Sequence, residues 1–199
     1  MAKSQTTVSA DRRSIRTRMA LRYALIELIA ERGWDDIAVQ DICERADVGR
    51  TTFYLHYPNK DALLQGGLDE LQAELQRQAQ ALADAARRDV GTPAGFHFIA
   101  GLIAHAHDQR QLFRGLIGRR SGHVVQQRFR EMVIRLISDE LSESGGSLPR
   151  AALARWLAGA FVELLSWWVE QGTQLTSAEL AREFEVLAQP VWEQARQKD

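Results

Sequence analysis

Two short amphipathic stretches separated by three residues limit what this chain can be more than any other feature. The first, residues 39–46 (VQDICERA), places Val39, Ile42, Cys43 and Ala46 on one side of a helix. The second, residues 50–55 (RTTFYL), surrounds a single anchoring ring, Phe53, with polar groups. Between them Asp47 is able to take a left-handed backbone, and Val48 fills the corner. Two short helices with a tight corner, the second polar and outward-facing, have the arithmetic of a helix-turn-helix. The first helix supplies the apolar inner face, and the second offers short polar groups to a major groove.

The flanks fit the same unit. Leu21, Leu25, Leu28 and Ile29 form the apolar stripe of a helix over residues 12–32, which Gly33 ends. Pro58 stops the second short helix, and Asn59 caps a long one over 60–88 carrying Leu64, Leu68, Leu71, Leu75 and Leu82. Gly91-Thr92-Pro93 is the clearest later break. Beyond it the periodicity predicts helices over 94–107, 109–117, 122–142, 149–171 and 177–196, broken at 119–121, 143–148 and 172–176. Val–Thr–Ile alternation is nearly missing, so the predicted fold is all-α, with three N-terminal helices and a larger helical body.

Composition narrows the function. The chain has 199 residues, of which 45% are hydrophobic, enough for one domain or two small units sharing a core. The formal charge is −1, but residues 1–60 hold ten Lys/Arg against eight acids, a net of +2. Four arginines crowd into DRRSIRTR at 11–18, the makings of a phosphate-seeking arm or simply of a solvated terminus. No unbroken apolar run reaches the roughly 18 residues of a membrane span, and the N-terminus lacks the apolar core of a secretory signal. One cysteine, Cys43, forms no internal disulfide and fits a reducing, cytoplasmic setting as a small buried group. No phosphate loop, GxSxG, HExxH or CxxC occurs, so neither an enzyme, a metal site nor a cofactor is expected.

The run IAVQDICERADVGRTTFYLHYPNKDALL, preceded by AERGW, resembles the DNA-binding domain of the TetR/AcrR family of bacterial transcriptional regulators. The likeness spans about residues 12–64, and its most distinctive positions are Val48, Thr52, Phe53, Tyr54, Tyr57 and Lys60. Three positions depart from the family pattern. Ala38 stands where a capping Thr or Ser is usual, Asp47 replaces a Gly, and Gly49 replaces a capping Ser. Each lost cap costs about 0.5–2 kcal/mol of helix stability. By position, the resemblance implies that Arg50, Thr51 and Leu55 approach base edges. It implies that Thr52, Tyr54, His56, Lys60 and, from the first short helix, Gln40 hold the DNA backbone. Arg50 is the best specificity candidate, because a guanidinium bridges the O6 and N7 acceptors of guanine.

The resemblance further implies a reading unit over 1–60 (arm 1–11), a body over 61–199 for effector binding and dimerisation, and a pseudo-palindromic operator in double-stranded DNA. Residues 108–145, with LFRGLIGRR, are similar to the C-terminal region of one branch of that family. Two stripes are expected to pair two copies into a homodimer: Leu157, Leu164 and Trp168, then Leu180, Phe184, Leu187 and Val191. Either stripe would serve equally well as internal core. Phe96, His97, His105, Phe113, His123 and Trp156 are candidates for a small-molecule pocket, as rings with a few polar groups. The expected protein is a repressor that a small molecule releases from DNA. Its rivals are a helical ligand-binding protein or enzyme, and a DNA-binding regulator without an effector.

Overall fold

The computed structural model describes the backbone of residues 3–86, 96–118, 121–141, 148–171 and 174–196, with side chains over 12–84, 96–118, 121–141, 148–171 and 174–191. Nine helices make up the regular structure of the described residues. They are α1 (Lys3–Arg32), α2 (Val39–Ala46), α3 (Arg50–His56), α4 (Lys60–Ala86), α5 (His97–Asp108), α6 (Arg110–Ile117), α7 (His123–Glu140), α8 (Arg150–Gln171) and α9 (Ser177–Arg196). The expected breaks at 91–93, 119–120, 143–147 and 172–173 lie outside the described residues.

Local chemistry sets the helix ends. Gly33, at φ 82°, closes α1 with its N–H on the Ile29 carbonyl. Asn59 Oδ1 accepts from Ala62 N–H at 2.8 Å and opens α4. At α9, Thr176 and Glu179 exchange hydrogen bonds in a capping box. The chain is helical from Lys3, and no Gly or Pro interrupts α1 before Gly33.

One buried apolar cluster runs from Leu21 through to Ala188 and joins every helix. The tightest contact between the N-terminal helices and the body is α6 against α1. A Cβ at Gly115 would lie 2.6 Å from the Ile26 carbonyl oxygen, so only glycine permits this approach. Two arginines on α6 reach the other way. Arg110 donates to the Trp168 and Val169 carbonyls at 2.7 and 3.0 Å, and Arg114 to Val169 at 3.1 Å. These cap orphan acceptors at the C-terminus of α8. The short α6 therefore ties α1 to α8.

By length and composition α8 alone among the described helices could cross a membrane, with a mean hydropathy of 1.2 over its best window. Arg155 and Glu163 interrupt it, however, and Leu153, Leu157, Phe161, Leu165 and Trp168 are buried inside the protein. It is a core helix.

Candidate nucleic-acid interface and the cavity behind it

The corner between α2 and α3 forms as its sequence requires. Asp47, the one non-glycine with positive φ among the described residues, sits at φ 53°, ψ 46°. Val48 is half-buried, its N–H on the Cys43 carbonyl at 2.9 Å. Ile42 and Cys43 are buried, and Val39 and Ala46 pack on the same core. Burial pushes the Cys43 thiol pKa up, as for an inert buried sulfhydryl. Ala38 has no side chain to cap α2, yet half a capping box survives: its N–H donates to Asp41 Oδ2 at 2.7 Å. Arg32 pairs with the same carboxylate at 3.1 Å. Hydrogen bonding to Ala38 N–H holds the Asp41 pKa below the ordinary carboxylate value. Gly49 leaves α3 without a side-chain cap.

Helix α3 hangs on one ring. Phe53 is 0% exposed, edge-on to Tyr54 at 5.4 Å, while Leu55 is 79% exposed. Arg50, Thr51 and Tyr54 are also exposed, and Thr52 and His56 are half-buried at the flanks. Gln40 is exposed on α2, its amide on Glu44 Oε1 at 2.8 Å. The structure thus brings Arg50, Thr51, Tyr54 and Leu55 onto one open face. Tyr57 is different: it is buried beneath α4, where a Cβ at Gly66 would meet its ring at 3.2 Å.

Lys60 has a role that its sequence position did not reveal. Its Nζ donates to the carbonyls of Trp34 at 2.8 Å and Ile37 at 2.9 Å, and lies 4.6 Å from the Trp34 ring centroid. Of the three ammonium donors, two are taken by the α1–α2 connection. The lysine anticipated as a phosphate contact is first a clasp that fixes α2 against the start of α4.

A cavity of about 480 Å³ is walled by α1, α4, α5 and α6. Of the six ring residues singled out from the sequence, His105 and Phe113 line it, their rings 5.7 Å apart. Burial lowers the His105 pKa below the ordinary imidazole value. The other four candidates are elsewhere. Phe96 packs on Phe98 and Phe184, and His97 faces Glu140 at 3.5 Å. His123 is exposed at the start of α7, and Trp156 is 57% exposed on α8. Ring content alone did not tell pocket from core or surface.

Most residues expected at a dimer interface are instead core of the single chain. Leu157, Trp168, Leu180 and Phe184 are buried, and Leu164 and Val191 are half-buried. Phe184 stacks edge-on to Phe161 at 5.1 Å, and Trp168 Nε1 donates to the Leu175 carbonyl at 2.9 Å. Only Leu187, 71% exposed, faces outward. The open face of α8 is one step round: Trp156, Ala160, Glu163 and Trp167. On α9, Val186, Leu187 and Pro190 are exposed. Periodicity did not single out the open face of α8 because that helix is apolar on almost every side.

Residues 23–66 match the family model for bacterial regulatory proteins of the tetR family, and residues 96–190 match that for a TetR-type transcriptional regulator C-terminal region. The chain belongs to the TetR family. It is 41% identical over 66 residues to the uncharacterized HTH-type transcriptional regulator YxbF of Bacillus subtilis, covering 33% of this chain and 17% of that protein. It is 31% identical over 88 residues to the HTH-type transcriptional regulator EthR of Mycobacterium tuberculosis, covering 42% and 41%. The matches thus span less than half of either relative's length.

Similar TetR folds occur in solved structures. A TetR transcriptional regulator from Streptococcus agalactiae aligns over 91% of this chain and 98% of its own, with a TM-score of 0.62 and 24% identity. NalD, the secondary repressor of the MexAB-OprM multidrug efflux pump in Pseudomonas aeruginosa, aligns over 92% and 98%, with a TM-score of 0.61 and 18% identity. Thermus thermophilus FadR, a repressor solved with lauroyl-CoA, aligns over 92% and 96%, with a TM-score of 0.58 and 21% identity. The first TetR family match begins at Tyr23, so it contains the corner, α3 and Lys60.

Proposed function

We propose that this TetR-family protein is a sequence-specific DNA-binding repressor that works as a homodimer on a pseudo-palindromic operator and is released by a small-molecule effector. Residues 1–60 form the reading unit, and residues 61–199 bind the effector and pair the copies. The observation that carries the reading is the geometry of α3, anchored by fully buried Phe53 with Arg50, Thr51, Tyr54 and Leu55 left outward. In this role Arg50 reads a guanine edge, and Tyr54, His56 and the remaining donor of Lys60 hold phosphates. Two reading units are needed because one short helix covers a single half-site.

Pairing draws support from Trp156, Trp167, Val186 and Leu187, large apolar groups left open on α8 and α9. An effector draws support from the cavity beside α1, and from a structural neighbour that is a repressor solved with lauroyl-CoA. Such a protein acts in the bacterial cytoplasm. Selection of preferred duplexes from a random pool tests the reading. The expected product is a two-fold symmetric motif with half-sites about one helical turn apart or a multiple of it. A pool that enriches nothing contradicts it.

A further inference from the structure

Helix α3 hangs from Phe53, so the residues opposite that ring reach furthest outward. At about 100° per residue, the point opposite Phe53 falls between Thr51 and Leu55, about 20° from each. The remaining positions sit on the flanks: Arg50 and Tyr54 to one side, Thr52 and His56 to the other. Exposure follows the same order. Leu55 is 79% exposed and Tyr54 50%, whereas Thr52 and His56 are half-buried. The Tyr54 ring leans back edge-on to Phe53, and the His56 ring lies 6.4 Å from that of Tyr57. The outermost ridge of α3 is therefore a threonine and a leucine, an i, i+4 pair without charge.

We propose that this ridge makes the operator thymine-dependent: Thr51 and Leu55 read the C5-methyl groups of thymines on the floor of the major groove. The inference rests on the DNA-reading role proposed above and names the chemistry that role recognises. A leucine on a groove-facing ridge has no hydrogen bond to give. Set against the donors and acceptors of base edges, it strips them of water and returns nothing. Among the substituents displayed in the major groove, the thymine methyl is the apolar one, and the methyl of a threonine is a suitable partner for it. Both surfaces then leave water together.

The spacing limits where those thymines lie. Residues four apart on a helix are separated by about 6 Å along its axis, close to two base-pair steps of about 3.4 Å. The thymines read by Thr51 and Leu55 therefore fall within the same two or three base pairs of each half-site. Arg50 approaches from the flank, where its length lets it reach a guanine beside them. The ridge supplies specificity without charge, so its contribution should be insensitive to salt, unlike that of the phosphate contacts.

The experiment uses the full chain and the operator selected from the random pool. Each thymine of one half-site is replaced in turn by deoxyuridine, which keeps the base pair and removes only the methyl. At one or two of these thymines wild type should lose affinity by about fourfold, the worth of one buried methyl. Leu55→Ala and Thr51→Ser, the second of which keeps the hydroxyl, should stay helical by circular dichroism. Each should bind the parent operator more weakly and cut the penalty at its own thymine to under about twofold. Arg50→Ala should keep both penalties in full. Half-sites without thymine, or an operator whose affinity ignores every deoxyuridine, overturn the methyl reading and leave the regulator reading standing. Penalties that persist in both Leu55→Ala and Thr51→Ser overturn the ridge as their source. A pool that enriches no sequence overturns the regulator reading itself, and this inference with it.

Discussion

Lys60 and Arg50 sit ten positions apart and divide the labour of the reading unit. The Lys60 ammonium stitches the Trp34 and Ile37 carbonyls to the start of α4, whereas Arg50 has an exposed side chain at the first turn of α3. Replacing Lys60 with Met keeps the stem and removes both hydrogen bonds. Bonds to a charged donor are worth about 1.5–3 kcal/mol each when buried, and Lys60 is only half-buried, so Lys60→Met should lower the denaturant midpoint by an amount equivalent to about 2 kcal/mol in total. It should also weaken binding to all DNA sequences alike. Arg50→Ala should leave the midpoint nearly unchanged and cost about 1–3 kcal/mol of discrimination at one base pair of the operator. Binding to the operator and to its single-base variants checks this. The inward side of α3 was legible in the single ring of Phe53, while the outward place of Arg50, Thr51, Tyr54 and Leu55 was implied by the family resemblance. The Lys60 clasp was not legible, since its partners lie 26 and 23 residues away and are backbone carbonyls, which leave no mark in a residue pattern.

Helix boundaries followed from local signals where Gly33 and Pro58 with Asn59 fall at the ends and starts of elements. Which face of each helix is buried did not follow equally well. In α1 and α4 most of the stripe points inward (Leu21, Leu25, Leu28 and Ile29, then Leu64, Leu68 and Leu75), although Leu82, counted with it, is 50% exposed. In α8 Leu, Ala, Phe, Val and Trp occur all round, and burial is decided by α7, α9 and the α6 arginines, none of which periodicity can see. The start of α5 shows another such long-range choice. Glu140 of α7 accepts the N–H groups of His97 at 2.8 Å and Phe98 at 3.2 Å, capping a helix that its own sequence leaves uncapped. Burial raises the Glu140 pKa, so its ionised form carries a stability cost at neutral pH. That cost is relieved as pH falls through the raised folded value towards 4.5, the window in which the folded chain binds the extra proton. Glu140→Gln removes the ionisation. Wild type should therefore gain stability relative to this variant as pH drops through that window, measured by paired denaturant titrations. A constant difference between the two would contradict the assignment.

At the level of the whole molecule, a helical body presents one small DNA-reading surface and leaves apolar side chains open on its last two helices. The all-α class was readable, because the corner at 47–49 and the leucine stripes are local patterns. The cavity walls were not, because they are made by helices far apart in sequence. If α8 and α9 pair two copies, Trp156→Glu combined with Leu187→Glu should yield a folded monomer of 22.4 kDa by light scattering. Its operator affinity should fall steeply, since each copy then holds one half-site alone. The central claim is that α3, with Phe53 as its anchor, enters the major groove of duplex DNA. Anisotropy titrations of the selected operator and a scrambled duplex, repeated at rising salt, test it most directly. The account predicts a clear preference for the operator and a log–log salt slope of about −0.9 per phosphate contact. Equal binding of both duplexes at every salt concentration, or affinity indifferent to salt, would contradict it.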